Sequence, residues 1–299
     1  MNNINGVILL DKPTGISSHD AVNMLRKIVG TKRVGHTGTL DPLATGVLPM
    51  CIGSATKAAE LLTCENKEYT AEMVLGMTTD TGDCEGNVLT ECGFSLTEEQ
   101  IRRAAESFVG SISQLPPMYS AKKVGGKKLY ELARDGITIE RKPENITIHE
   151  LTVTDIDMEY FTVSFHVRCS KGTYIRVLCE DIGRKLGCGA YMNKLRRTAS
   201  GAFKISDCKT IEEIKAAAES GALGELVIPT DTLFDYKKII LSDKQTARFA
   251  NGVFVSHPDI ADGEFYRVYG SDKKFMALAA CSGGRLRIKK SFMSQGGYA

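Results

Sequence analysis

Two stretches of this chain alternate apolar and polar residues with a strict period of two, and they limit the fold most. In EYTAEMVLG (68–76), Tyr69, Ala71, Met73 and Leu75 share one face. In YFTVSFHVRCS (160–170), Phe161, Val163, Phe165 and Val167 alternate with Thr162, Ser164, His166 and Arg168. Successive strand side chains point to opposite faces, so each stretch reads as a half-buried strand. GVILLDK (6–12) reads as a shorter buried strand. Helices are signalled between the strands. SSHDAVNMLRKIVG carries an apolar stripe of Ala21, Leu25, Ile28 and Val29, a cap at Ser17 or Ser18, and a stop at Gly30. Capping boxes at Thr97–Gln100 and Thr210–Glu213 open two more helices, the first running through Phe108 and the second ending at Gly221. Residues 146–178 read as a hairpin or meander, with Gly172 marking the turn before a further strand, TYIRVL. Residues 79–87 form a polar loop, and 114–136 pass from an extended Pro-rich segment into a helix. Residues 228–234 read as a linker. Beyond it, turns at ANG, ADG, GSD and SGG divide short apolar segments, as in a small β-barrel or sandwich.

A chain of 299 residues suits one large domain plus a smaller one. Its net charge of +2 argues neither for nor against nucleic acid. The nine cysteines form no CxxC pair and fit neither a zinc site nor a disulfide framework, which leaves reduced thiols. The N-terminus lacks the basic region of a signal peptide, and no apolar run approaches the ~18 residues of a membrane span. The expected location is the cytoplasm.

One loop concentrates turn chemistry around a single acid. In GHTGTLDPLATG (35–46), three glycines, one proline and three threonines surround Asp41. Pro42 keeps Asp41 out of the helical region. Such a loop is either a connector or a cradle for a reactive group. Basic residues cluster at Lys122, Lys123, Lys127 and Lys128, at Lys194, Arg196 and Arg197, and at Arg285, Arg287 and Lys289. Singly, each reads as a solvated face; together they fit a long anionic ligand touched at several points. No phosphate-loop or dinucleotide fingerprint is present, no GxSxG elbow occurs, and the five histidines have no metal-ligand spacing. From the residues alone, the chain is an anion or RNA binder with room for an enzyme.

The loop RVGHTGTLDPLATGVLP (33–49) resembles the catalytic motif of the tRNA pseudouridine synthase B family. GVILLDKPTGISSHD (6–20), KEYTAEMVLGMTTDTGDCEG (67–86), QLPPMYSAKKVGGKKLYELARDG (114–136), CSKGTYIRVLCEDIG (169–183) and LRRTASGAF (195–203) resemble that family's other motifs, in its order. The resemblance implies an α+β pseudouridine synthase fold, with a mixed, mainly antiparallel sheet flanked by helices over 1–230. It also implies a small PUA-like β-barrel over 235–299. The implied reaction converts uridine 55 in the tRNA T-loop to pseudouridine, without cofactor, nucleotide or metal, in a monomer. Asp41 would be the essential acid, attacking C1′, attacking the base or removing a sugar proton. Arg176 would keep it ionised, since burial raises a carboxyl pKa and a nearby arginine lowers it. Tyr69 would stack on the target base and take the C5 proton. Tyr174 and Leu195 would wall the pocket, His36 would pack where T-loop bases are displaced, and Lys12 would lie nearby. Lys122, Lys123, Lys127, Lys128, Arg196 and Arg197 would meet tRNA phosphates. The competing expectation is an RNA-binding or RNA-folding factor without turnover on the same scaffold.

Overall fold

The computed structural model describes residues 4–63 and 66–293. Strand β1 (Gly6–Lys12) leads into helix α1 (Ser18–Val29), then β2 (Val34–His36) and β3 (Thr45–Ile52). A 3-10 turn (Gly53–Ala58) and α2 (Ala59–Thr63) precede β4 (Lys67–Leu75). A side hairpin of β5 (Met77–Thr79) and β6 (Val88–Glu91) is followed by α3 (Glu98–Glu106) and β7 (Gly110–Gln114). The lysine-rich hairpin β8 (Lys123–Val124) and β9 (Lys127–Lys128) runs into α4 (Leu129–Arg134). Next come β10 (Glu144–Asp157), β11 (Thr162–Cys169), α5 (Ile175–Leu186), β12 (Ala190–Ser200), β13 (Phe203–Lys204) and α6 (Ile211–Glu219). The last part holds β14 (Lys237–Ile240), α7 (Asp243–Ala250), β15 (Phe265–Tyr269), β16 (Phe275–Cys281) and β17 (Leu286–Ser291).

Among the described residues the main sheet has nine strands, ordered β1-β3-β12-β4-β11-β10-β7, with β2 added to β3 and β13 to β12. The β12–β3 pair alone is parallel. The expected mixed, mainly antiparallel sheet is therefore present. Period-two alternation holds over β4 and β11, where Tyr69, Ala71, Met73 and Leu75 face one core with Val163, Phe165 and Val167, but Phe161 falls before β11, exposed at φ 56° and edge-on to Phe94. Helices α1, α3, α5 and α6 bury Leu25, Ile101, Leu178 and Ile214 in that core. Strands β1 and β3 are apolar on both faces. Their second face packs Val7, Leu9 and Cys51 against Phe234, Leu278 and Phe292. The four-stranded second sheet, β14-β15-β16-β17, thus docks on the edge of the first, and the C-terminal part is β-rich as expected.

Two local expectations change. TYIRVL is the start of a helix, not a strand. Ile175, Leu178, Cys179 and Ile182 recur at helical spacing and are all buried, and Gly187 ends the helix in the left-handed region at φ 78°. Residues 228–234 are no free linker: Ile228 exchanges two backbone hydrogen bonds with Val7, and Thr230–Leu233 form a 3-10 turn. Ser17 is the cap of α1, in a reciprocal box with Asp20. The eight described cysteines are unpaired, and Cys64 lies outside the described residues. No helix among the described residues is long and apolar enough to cross a membrane.

Candidate active site

The Gly35–Gly46 segment spans the turn from β2 into β3, and three groups fix its shape. The Ser18 hydroxyl, freed from capping, accepts from Leu40 N–H at 2.8 Å and donates to Leu40 C=O at 2.9 Å. The Lys12 ammonium is fully buried and donates to the carbonyls of Pro13, Ile16 and Pro42. Burial lowers its pKa to about 8, and Asp41 pulls the other way. Arg197 donates through Nε to Val47 C=O at 2.7 Å and through Nη2 to Gly38 C=O at 3.2 Å. So the loop is a rigid cradle, with Asp41 at its tip.

Gly46 shows how tightly it is seated. Its φ is 103°, and a Cβ there would strike the Arg197 carbonyl oxygen. Gly46→Ala should cost about 3 kcal/mol, combining left-handed strain with backbone overlap. Urea unfolding of the variant measures this; an unchanged midpoint would contradict it.

Asp41 faces Arg176. The Nη2–Oδ2 distance is 3.0 Å, and the Arg176 side chain is 6 % exposed against 36 % for Asp41. Arg176 sits in the first turn of α5 and is held from three further directions. Nη1 donates to Thr81 C=O at 3.0 Å and Nη2 to Tyr119 C=O at 2.7 Å. Nε lies 3.6 Å from the carboxylate of buried Asp83. Asp83 is itself fixed by the Thr81 hydroxyl at 2.6 Å and by Glu85 N–H. Sequence reasoning missed Asp83; its one signal was a carboxylate in a tight glycine-bounded turn, TGDCEG.

A cavity of about 350 Å³ opens beside this pair. Asp41, Arg176, Tyr69, Tyr174, Leu195, Arg197 and Lys122 all line it. Tyr69 projects from β4. Burial pushes its phenol above the ordinary value, against a lowering by Arg197, its hydrogen-bond partner. Burial also raises Tyr174, whose hydroxyl meets Ser120. Among the described residues, no cluster of His, Cys, Asp or Glu has metal-holding geometry.

The remaining expected residues scatter. His36, on β2, is not among the residues lining the cavity, and burial pulls its imidazole below the usual value. Arg196 pairs with Asp11 at 2.7 Å. Arg197 is 1 % exposed, so it supports the cradle from inside and cannot belong to a surface phosphate patch. The physical reason is strand alternation: Arg196 points out and Arg197 in. Lys12 is likewise interior. Lys122 pairs with Glu144 at 2.6 Å. Lys123 and Lys127 are exposed on the β8–β9 hairpin, and Lys128 is half-buried over the Tyr130 ring.

Comparison with known proteins gives the family. Residues 26–175 match the TruB family pseudouridylate synthase N-terminal domain, and 176–235 match the tRNA pseudouridylate synthase B C-terminal domain. The join between them falls within the turn that opens α5, well before the second sheet begins. A tRNA pseudouridine synthase B from Bacillus cytotoxicus is 44% identical, covering 91% of this chain and 91% of the relative. Its namesake from Cupriavidus metallidurans is 42% identical, covering 96% and 94%. Among solved structures, a chain of a Cbf5-Nop10-Gar1 complex superposes with a TM-score of 0.71 at 27% identity, over 96% of this chain and 85% of that one. A chain of an H/ACA RNP bound to a substrate RNA containing 2'-deoxyuridine gives 0.70 at 26%, over 97% and 86%. With both family models matched in order over 26–235 and relatives above 40% identity along nearly the whole length, this chain belongs to the TruB family of pseudouridylate synthases.

Proposed function

We propose that this chain converts a uridine of tRNA to pseudouridine, at position 55 in the T-loop, with Asp41 as the reacting carboxylate. The Asp41–Arg176 pair beside the cavity carries the reading. The cavity volume falls in the ~300–1,000 Å³ range of small-ligand sites, which suits one extruded nucleoside. Loop RNA is the fitting substrate, because its bases splay out while a duplex hides them. Extrusion costs a few kcal/mol, and stacking on an aromatic ring such as Tyr69 returns ~1–3 kcal/mol.

In the reaction the C1′–N1 bond breaks, the uracil turns, and a C1′–C5 bond forms. N1 gains a proton and C5 loses one, so the product is an isomer. Asp41 meets the positive charge that develops at C1′. Arg176 orients it, and Tyr69 takes the C5 proton. Leu195 and Tyr174 close the walls. The lysines of the β8–β9 hairpin, with Arg285 just before β17 and Arg287 and Lys289 on it, meet tRNA phosphates and set its orientation. Residues 1–230 act as the catalytic unit and 235–299 as an RNA-binding unit. The enzyme works as a monomer in the cytoplasm, and the eight free cysteines among the described residues fit a reducing compartment.

The test uses unmodified tRNA tritiated at uridine C5, with EDTA present. Tritium release should reach one equivalent per tRNA, and mapping should find one pseudouridine, in the T-loop. RNA bound without release would mark a non-catalytic factor. Strand cleavage stopped by chelator would mark a hydrolase.

A further inference from the structure

Gln114 ends β7 at the edge of the main sheet, where it pairs with Glu144 of β10. Its side chain is 1 % exposed and reaches across to the start of α5. The amide oxygen accepts from Tyr174 N–H at 3.0 Å, and the amide N–H donates to Tyr174 C=O at 3.2 Å. A backbone N–H only donates and a C=O only accepts, so the partners fix which way the amide points.

Tyr174 is the N-terminal cap of α5, in extended geometry, and its own side chain makes no capping bond. Its C=O also takes the first helical bond, from Leu178 N–H at 3.1 Å. One side chain therefore holds both backbone polar groups of the residue where strand geometry turns into helix. Arg176 follows in the first turn. A small rotation at Tyr174 would swing the guanidinium off Asp41, Asp83, Thr81 C=O and Tyr119 C=O together. Tyr119 lies on the segment that Gln114 itself begins, so the same strand end sets both sides of the guanidinium.

We infer that Gln114 is a positioning residue for the reaction: its amide locks the start of α5 and so holds Arg176 on Asp41. This rests on the roles given to Asp41 and Arg176 above. Without taking up a proton, only an amide side chain supplies a donor and an acceptor side by side, and asparagine is one methylene too short. A glutamate in its place accepts from Tyr174 N–H but sets a second oxygen against Tyr174 C=O, unless it carries a proton.

That difference makes the test. The full-length Gln114→Glu variant is assayed for tritium release in single turnover at saturating enzyme, as a ratio to the unmodified protein at each pH from about 6 to 8.5. Burial raises a glutamic acid by up to ~3–5 units from its ordinary ~4.3, into this window. The ratio should lie about tenfold down at the alkaline end, the size of one lost buried hydrogen bond, and climb toward one as pH falls. Affinity for tRNA should stay the same throughout. Gln114→Met fills the same space without polar atoms. It should be slow at every pH, and the Tyr174 amide should lose its protection from hydrogen exchange. A Glu ratio flat with pH overturns the inference, as does a Met variant with full rate and a protected Tyr174 amide. If neither variant folds by circular dichroism, Gln114 is a folding determinant and the positioning role falls. Absence of tritium release from the unmodified protein would strike the functional reading instead, and the exchange result would still judge the clamp.

Discussion

Asp41→Asn should abolish pseudouridine formation while leaving tRNA affinity close to that of the unmodified protein. Asparagine matches the size of aspartate and can keep the cradle, because the loop is held through Leu40, Gly38 and Pro42, not through the Asp41 side chain. What it lacks is the charge and nucleophilicity that a developing cation at C1′ demands. Removing a residue that touches the reacting atoms costs roughly four orders of magnitude or more, equivalent to about 5.5 kcal/mol of barrier. Single-turnover tritium release and filter binding measure the two quantities separately. A variant keeping a hundredth of the normal rate would move the chemistry to another group.

The second large effect falls on Arg176. Its guanidinium satisfies two carboxylates and two carbonyls in one plane, which a lysine ammonium cannot reproduce. Arg176→Ala also strands Asp83, a carboxylate 5 % exposed. Breaking a buried pair by removing one partner costs about 3–5 kcal/mol of stability. Arg176→Lys should therefore retain the fold but lose about 10²–10³ in rate at saturating tRNA, the scale of a misplaced catalytic group. Asp83→Asn should lose rate as well. The double variant should be much better than the sum of the two, because both act on one network. Additive losses would separate Asp83 from the site, and an equal fall in tRNA affinity would reassign Arg176 to docking.

How far the sequence reveals this site depends on the range of the interactions involved. Strand β4 was legible because its period is local and one face is buried. The cap of α1 was legible to within one residue; what the sequence left open was that Ser17 caps while Ser18 turns to Leu40. TYIRVL looked like a strand because its aromatic and β-branched residues favour extended backbone over six positions. The helical stripe that decides the matter needs eight, through Ile182. Arg197 was misplaced by counting neighbouring charges. Alternation along a strand, applied to NKLRRTAS, would have put it inside. Asp83 and Gln114 had no such route. Each acts on a group far away in the chain, and only the packing of α5 against the 79–87 loop and the end of β7 brings them there.

Strand β12 lies in the middle of the main sheet, between β3 and β4, although it comes late in the chain. While the polypeptide is still emerging from the ribosome, the sheet has a gap at its centre, and Asp41 and Tyr69 stand on opposite banks of it. Non-local pairings of this kind form slowly. Until β12 (Ala190–Ser200) is in place the two sides of the cavity are not joined, so a tRNA meeting a shorter nascent chain would find no assembled site.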